Sequence, residues 1–450
     1  MKTSVINARL IGPTEERPGV SIGIEDGVVA WVEPGSRPWG DEVIDAGGRP
    51  VLPGLIDSHT HFGAFLPFED DLVSETQAAA AAGVTTVFHV LLEQGSVADR
   101  LDYYVEAVQR LATVDMHFWA ACMTQQHLEE IPRCRERGIR GFKFFMAYKG
   151  DEMRRIGIAG IDLDYLYRGM EQVARNDAMA VVHAENYELL QLFRRRHSHE
   201  NTFSAFCRSR PPICEDVDVY TACRLAEDTG AALYVVHVGA AGVVDIARSF
   251  RERGNTVHLE TSPRYLVIDH DGGTLARPEL ALTTPSYKSA DHQEHLWAAV
   301  AAGDFDILAT DSAANKLATK LGDGDVWKAQ PGWQEMPTFL PMLWTEGVAK
   351  GRLTPSRLVT LTSHNPARIF GLAPQKGAIE PGADADLVII DPDTPRRVDA
   401  KDSPSACDFT PYEDWELSGW PVLTMARGRV VFRDGVVDGS ARAGRVVGLT

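Results

Sequence analysis

The chain has 450 residues and a formal net charge of −18, from 45 lysines and arginines against 63 aspartates and glutamates. With no basic run, that balance argues against a nucleic-acid surface or an anionic membrane as partner. Six cysteines (Cys122, Cys134, Cys207, Cys214, Cys223, Cys407) lie scattered without a Cys-x-x-Cys pair, which argues against a disulfide framework or a thiolate zinc site, so any metal must be held by histidine and oxygen ligands.

Met1 to Arg9 lacks an apolar stretch long enough for a signal peptide, and no later segment is long enough to span a bilayer, so a cytoplasmic protein is expected. Up to about Pro50, short strand-like pieces such as Val20–Ile24 and Gly27–Val32 are punctuated by Gly and Pro. From Val51 to Phe370, short apolar runs alternate with helical stretches. The runs are Val51–Ile56, Val84–Val90, Met116–Ala121, Ile139–Phe145, Ala178–His183, Ala231–His237, Thr256–Glu260 and Phe305–Thr310. Eight such runs fit a (β/α)8 barrel better than an open doubly wound sheet. Thr76–Ala82, stopped by Gly83, reads as a helix leading to the second run. Beyond the barrel, Ala385–Ile390 and Gly428–Phe432 are strand-like again. The expected fold is therefore α/β: a barrel over residues 51–372 beside a small β-sandwich domain built from both chain ends, residues 1–50 and 373–450.

The first run leads into Asp57-Ser58-His59-Thr60-His61. In extended backbone, residues i and i+2 point to the same side, so His59 and His61 face one point, where they either pack or bind a divalent metal. Further apolar strands carry Lys143 or end in His183, His237 or Asp311. The contributors are strands one, four, five, six and eight, all at C-terminal strand ends, where barrel enzymes keep their active sites. One strand-end histidine is more often a core residue; four with an aspartate make coincidence improbable. Lys143 is the odd member, because an ammonium in an apolar strand beside divalent metal is strongly disfavoured. Either it snorkels to the rim, or its neutral amine takes up carbon dioxide to form a carbamate able to bridge two ions.

These residues, in this order, resemble the amidohydrolase superfamily and, within it, the dihydropyrimidinase and hydantoinase group. Pro53–His61 is similar to the superfamily's first motif, and Lys143-Phe144-Phe145-Met146-Ala147-Tyr148-Lys149 to the group's carbamylated-lysine motif. His183–Asn186, Glu260–Leu266, Asn365–Leu372 and Lys376–Leu387 are also similar to segments of the group. The resemblance implies a small-molecule cyclic amide substrate and two divalent ions, usually zinc, bridged by N6-carboxylated Lys143 and a hydroxide. It implies that His59, His61 and Asp311 hold the first ion and His183 and His237 the second. Asp311 would move the proton from water to the leaving nitrogen, and Tyr148 would donate a hydrogen bond to the oxyanion. It further implies a homotetramer, with Pro411–Trp415 in contacts between copies.

The pattern departs from the group in three places. Ser312 stands where a histidine commonly follows the metal-binding aspartate, and Thr284 stands where a serine contacts the substrate ring, largely through its backbone. The loop Phe62–Phe68 is longer than usual, with Phe62 and Phe65 as substrate-contact candidates that form an apolar wall or simply pack the loop. Dihydroorotases carry an arginine shortly after the histidine pair, where Phe62 and Gly63 stand here, which disfavours an acidic ring. Allantoinase stays open. A non-catalytic scaffold is disfavoured because no ligand is missing, and a one-metal deaminase because a carbamate is useful chiefly as a bridge.

Overall fold

The computed structural model describes residues 2–149 and 158–449. In chain order the barrel strands are Leu55–Thr60, Val84–Leu91, Asp115–Ala121, Gly141–Phe145, Met179–His183, Ala232–Val235, Val257–Thr261 and Ile307–Leu308. They pair in sequence order as one parallel sheet, and nearly every position is buried, as a sheet covered on both faces requires. The first and last strands approach through a bridge between Thr60 and Ser312, with the His61 amide donating to the Ser312 carbonyl at 2.8 Å. That contact all but closes the (β/α)8 barrel.

The first run is two strands rather than one. Pro50–Pro53 joins the terminal sheet, and Leu55–Thr60 begins the barrel. Gly54 makes the break: its amide donates to the Asp386 carbonyl at 3.0 Å, and a Cβ there would fall 2.2 Å from Thr85 Oγ1. The alanine-rich helix also starts earlier than expected, running Phe68–Ala81, and Gly83 turns the chain with φ +81° into the second barrel strand.

Both chain ends build a β-sandwich domain whose strands are joined in one nine-stranded mixed sheet. The two ends meet where Pro50–Pro53 pairs antiparallel with Leu387–Asp391, Leu52 opposite Val388. Val5, Ile22, Val51, Leu387, Ile389 and Met425 are among its core residues. Charge also ties this domain to the barrel. Buried Lys376 Nζ lies 2.6 Å from both Asp115 and Asp386 and 3.0 Å from Asp384. Asp115 opens the third barrel strand, so the lock sits at the barrel end opposite the strand-end histidines. The three carboxylates are close enough to suggest a metal group, but the Lys376 ammonium sits among them, with Arg427 on Asp115 and Arg445 on Asp384.

Tyr412, expected in a segment between copies, is buried within its own chain and donates to Glu335 at 2.8 Å. All six cysteines are free and buried. Among the described residues no helix is long and apolar enough to cross a membrane.

Candidate metal centre

The strand ends bring the six expected ligands together. His59 and His61 lie side by side with ring centroids 5.1 Å apart, and Asp311 Oδ1 is 3.5 Å from His59 Nε2 and 3.2 Å from His61 Nε2. Lys143 Nζ reaches within 3.2 Å of the same His59 nitrogen. The His237 ring stacks on His59 at 5.4 Å and meets His183 edge-on at 4.6 Å. One cavity is lined by His61, Lys143, His183, His237 and Asp311, with Tyr148 and Thr284 beside them. His237 and Asp311 both take left-handed backbone, with φ of 43° and 51°. Non-glycine residues in that region cost about 1–3 kcal/mol each and cluster at functional sites.

Two glutamates orient the imidazoles. Glu260 Oε1 lies 2.9 Å from His59 Nδ1 and also accepts the His237 amide at 3.1 Å, while Tyr234 donates to the other carboxylate oxygen. That contact leaves His59 Nε2 facing the centre. Glu185 Oε2 lies 2.9 Å from His183 Nε2 and is paired with Arg210 at 2.8 Å, leaving His183 Nδ1 to face the cavity. Neither glutamate is among the candidate ligands at the strand ends. Both left a signal: Glu260 lies near the C-terminal end of the seventh strand, which had no assigned ligand, and Glu185 follows His183 at the same i+2 spacing as His59 and His61.

Burial suppresses protonation of His59, His183 and His237, which therefore offer neutral imidazoles. Burial also pulls Lys143 down to about 8, bringing the neutral amine within reach at physiological pH. Asp311 behaves differently. Burial alone would raise its pKa, but the hydrogen bond from His61 and the Arg264 guanidinium pull it down, and the carboxyl stays ionised.

This donor set fits divalent metal. His59, His61 and Asp311 offer ligand atoms within 4.8 Å of one another, and the buried Nδ1 atoms of His61 and His237 have no hydrogen-bond partner. Four imidazoles, a carboxylate and an amine at one barrel end supply donors for two ions, with no thiolate among them.

Around the centre, Tyr148 Oη lies 2.8 Å from Thr284 Oγ1 and 3.5 Å from His183 Nδ1. Burial raises the phenol's pKa, so it stays a donor. Phe65 lines the cavity with Ala64, Leu92 and Ile158. Phe62 does not, and the expectation for it is corrected here: it is 3% exposed, its ring stacks on His89 at 5.6 Å and its amide donates to His89 Nδ1 at 3.2 Å. Phe68 stacks on the same imidazole at 5.4 Å, so two of the three loop phenylalanines hold the loop down. Ser312 Oγ accepts the amides of Glu335 and Met336, both at 3.1 Å, and so pins the loop that follows the eighth strand.

Known proteins place this architecture. The chain is 35% identical over 444 residues to the D-hydantoinase of Geobacillus stearothermophilus, covering 94% of this chain and 92% of that one. It is 32% identical over 450 residues to the L-hydantoinase of Paenarthrobacter aurescens, covering 96% and 95%. A D-hydantoinase crystal structure matches with a TM-score of 0.92 at 32% identity, over 100% of this chain and 99% of that one. A dihydropyrimidinase from Brevibacillus agri matches at 0.91 and 28%, with the same coverage. Residues 51–431, from the terminal-sheet strand that precedes the barrel into the C-terminal strands of the β domain, match the profile of the amidohydrolase family, and the chain belongs to that family.

Proposed function

We propose that the chain is a binuclear-metal cyclic amidase. It hydrolyses the C–N amide bond of a hydantoin, dihydropyrimidine or related ring, giving an N-carbamoyl or half-amide product. The observation that carries this reading is the convergence of His59, His61, Lys143, His183, His237 and Asp311 on one barrel end, in a chain whose relatives are named hydantoinases. Purified protein should carry close to two divalent ions per chain and lose ring opening on chelation. Full metal content and full activity in Lys143→Ala would overturn it.

In this reading His59, His61 and Asp311 would hold one ion and His183 and His237 the other, and Lys143, as an N6-carboxylate, would supply oxygen ligands. Zinc suits the ligand types. Two such ions supply Lewis acidity and lower the pKa of water. To become an oxygen ligand, the neutral Lys143 amine would attack carbon dioxide: a C–N bond forms, one C=O pair moves to oxygen, and the amine proton leaves to solvent. Asp311 takes the proton from the attacking water and passes it to the leaving ring nitrogen. The Tyr148 phenol donates to the oxyanion, a contribution of about 3 kcal/mol when well placed. Thr284 holds the ring, and Phe65 walls the side where a substituent projects. A cytoplasmic homotetramer completes the proposal; six free, buried cysteines support a reducing compartment. Sedimentation showing only monomer removes the tetramer.

A further inference from the structure

Lys320 ends the short helix Leu317–Lys320, in the chain that follows the eighth strand, and is fully buried. Its Nζ lies 2.6 Å from the Leu282 carbonyl oxygen, 2.8 Å from that of Gln330 and 2.9 Å from that of Gly332. Three acceptors match the three N–H bonds of an ammonium. Burial pushes its amine well below the usual lysine range, and no carboxylate offsets this: the groups that act on it are the Cys407 thiol, itself kept neutral by burial, and the Arg264 guanidinium. A buried cation without an anionic partner is costly, and here its whole hydrogen-bonding capacity goes to backbone.

The backbone it holds belongs to two segments that both wall the active cavity. Thr283 and Thr284 follow Leu282, and Pro331 and Gly332 follow Gln330; all four line the cavity. The segments meet where the Gly332 amide donates to the Leu282 carbonyl at 3.0 Å, and Lys320 shares that carbonyl. Gly332 takes φ +88°, so this joint needs glycine. Thr284 in turn meets the Tyr148 hydroxyl. Arg264 links the same region through side chains, Thr283 at 3.2 Å and Glu335 at 2.8 Å, whereas Lys320 links the backbones.

We propose that Lys320 is a positioning residue for ring opening: its Nζ, bound to three backbone carbonyls, fixes segments 282–284 and 330–332 as one wall against which the substrate ring is held and Tyr148 is aligned. The proposal rests on the cyclic-amidase reading. An apolar side chain at 320 would leave the Gln330 and Gly332 carbonyls without their donor and the Leu282 carbonyl with the Gly332 amide alone, and the joint between the two segments would loosen. The metal ligands, on other strands, would stay in place.

The test compares metal-loaded, full-length wild type with Lys320→Met and Lys320→Gln. Metal content and thermal midpoint are measured first, then kcat and KM for an unsubstituted cyclic ureide and inhibition by acetohydroxamate, which engages metal without spanning the wall. The expected result is about a tenfold or larger rise in KM for the ring in Lys320→Met and a smaller rise in Lys320→Gln, with metal content intact and hydroxamate inhibition within about twofold of wild type. An unchanged KM, an equal loss on ring and hydroxamate, or failure of both variants to fold overturns the positioning role. Wild type that opens no ring in a panel of cyclic ureides and imides counts against the cyclic-amidase reading instead, and is read before any variant.

Discussion

Glu260 and His59, two fully buried side chains 201 positions apart, meet with Oε1 2.9 Å from Nδ1. The carboxylate fixes which imidazole nitrogen carries the proton and so presents Nε2 as a ligand. Outer partners of this kind are worth about 10- to 100-fold in metal affinity. Glu260→Gln keeps the shape but removes the charge, and titration of the metal-free protein should show weaker metal binding by about that factor. Unchanged affinity would reduce Glu260 to a filler.

The lock between the domains should matter for stability and little for chemistry. Lys376→Met would strand Asp115, Asp384 and Asp386 around an apolar side chain, with Arg427 and Arg445 as the cations paired to them among the described residues. Breaking a buried pair from one side destabilises by about 3–5 kcal/mol. Urea unfolding should show a lower midpoint, while metal content and kcat stay at wild-type values because the cluster lies at the far end of the barrel.

Acid stability should depend on His117, a fully buried residue of the third barrel strand whose Nδ1 lies 2.8 Å from the Val447 carbonyl oxygen. Burial lowers its pKa to about 4, and the hydrogen bond to Val447 only partly offsets this. The folded state thus keeps the imidazole neutral while the unfolded chain protonates near its ordinary value of about 6.5. Stability is full above about pH 6.5, falls as the pH drops from there to about 4, and changes no further below, a total on the order of 3 kcal/mol. His117→Gln should flatten that part of a stability-against-pH curve measured by urea unfolding. A curve parallel to wild type would assign the loss elsewhere, to the other buried imidazoles with the same sign, His59, His89, His183 and His237.

What the sequence made legible follows from how local each cause is. Barrel strands are near-continuous apolar runs, and a strand-end histidine is visible in its own run, so the eight barrel runs and the six side chains that converge at one barrel end could be read directly. The split at Gly54 could not, because it depends on Asp386 and Thr85, contacts made only in the folded chain. Glu260, Arg264 and Lys320 find their partners across long stretches of chain, and no periodicity announces such a pair. Phe62 shows the same limit. As a residue beside the site it looked like Phe65, and only His89, from the second strand, decides which of the two faces inward.

That difference between Phe62 and Phe65 is testable. Phe62 is packed on His89 and shielded from solvent, whereas Phe65 is partly exposed on the cavity wall. Phe62→Ala should cost about 3–5 kcal/mol of stability, as large-to-small changes at buried aromatics do. Its selectivity between an unsubstituted ring and an aryl-substituted one should stay near wild type once the protein is folded. Phe65→Ala should do the reverse: a small change in thermal midpoint, and a loss of about tenfold or more in kcat/KM for the aryl-substituted ring relative to the unsubstituted one, the scale on which an apolar pocket discriminates. Paired measurement of thermal midpoint and that kcat/KM ratio separates the two residues. If Phe62→Ala alters the ratio and Phe65→Ala leaves it untouched, the substituent lies on the other side of the cavity, and Phe65 has no part in choosing the substrate.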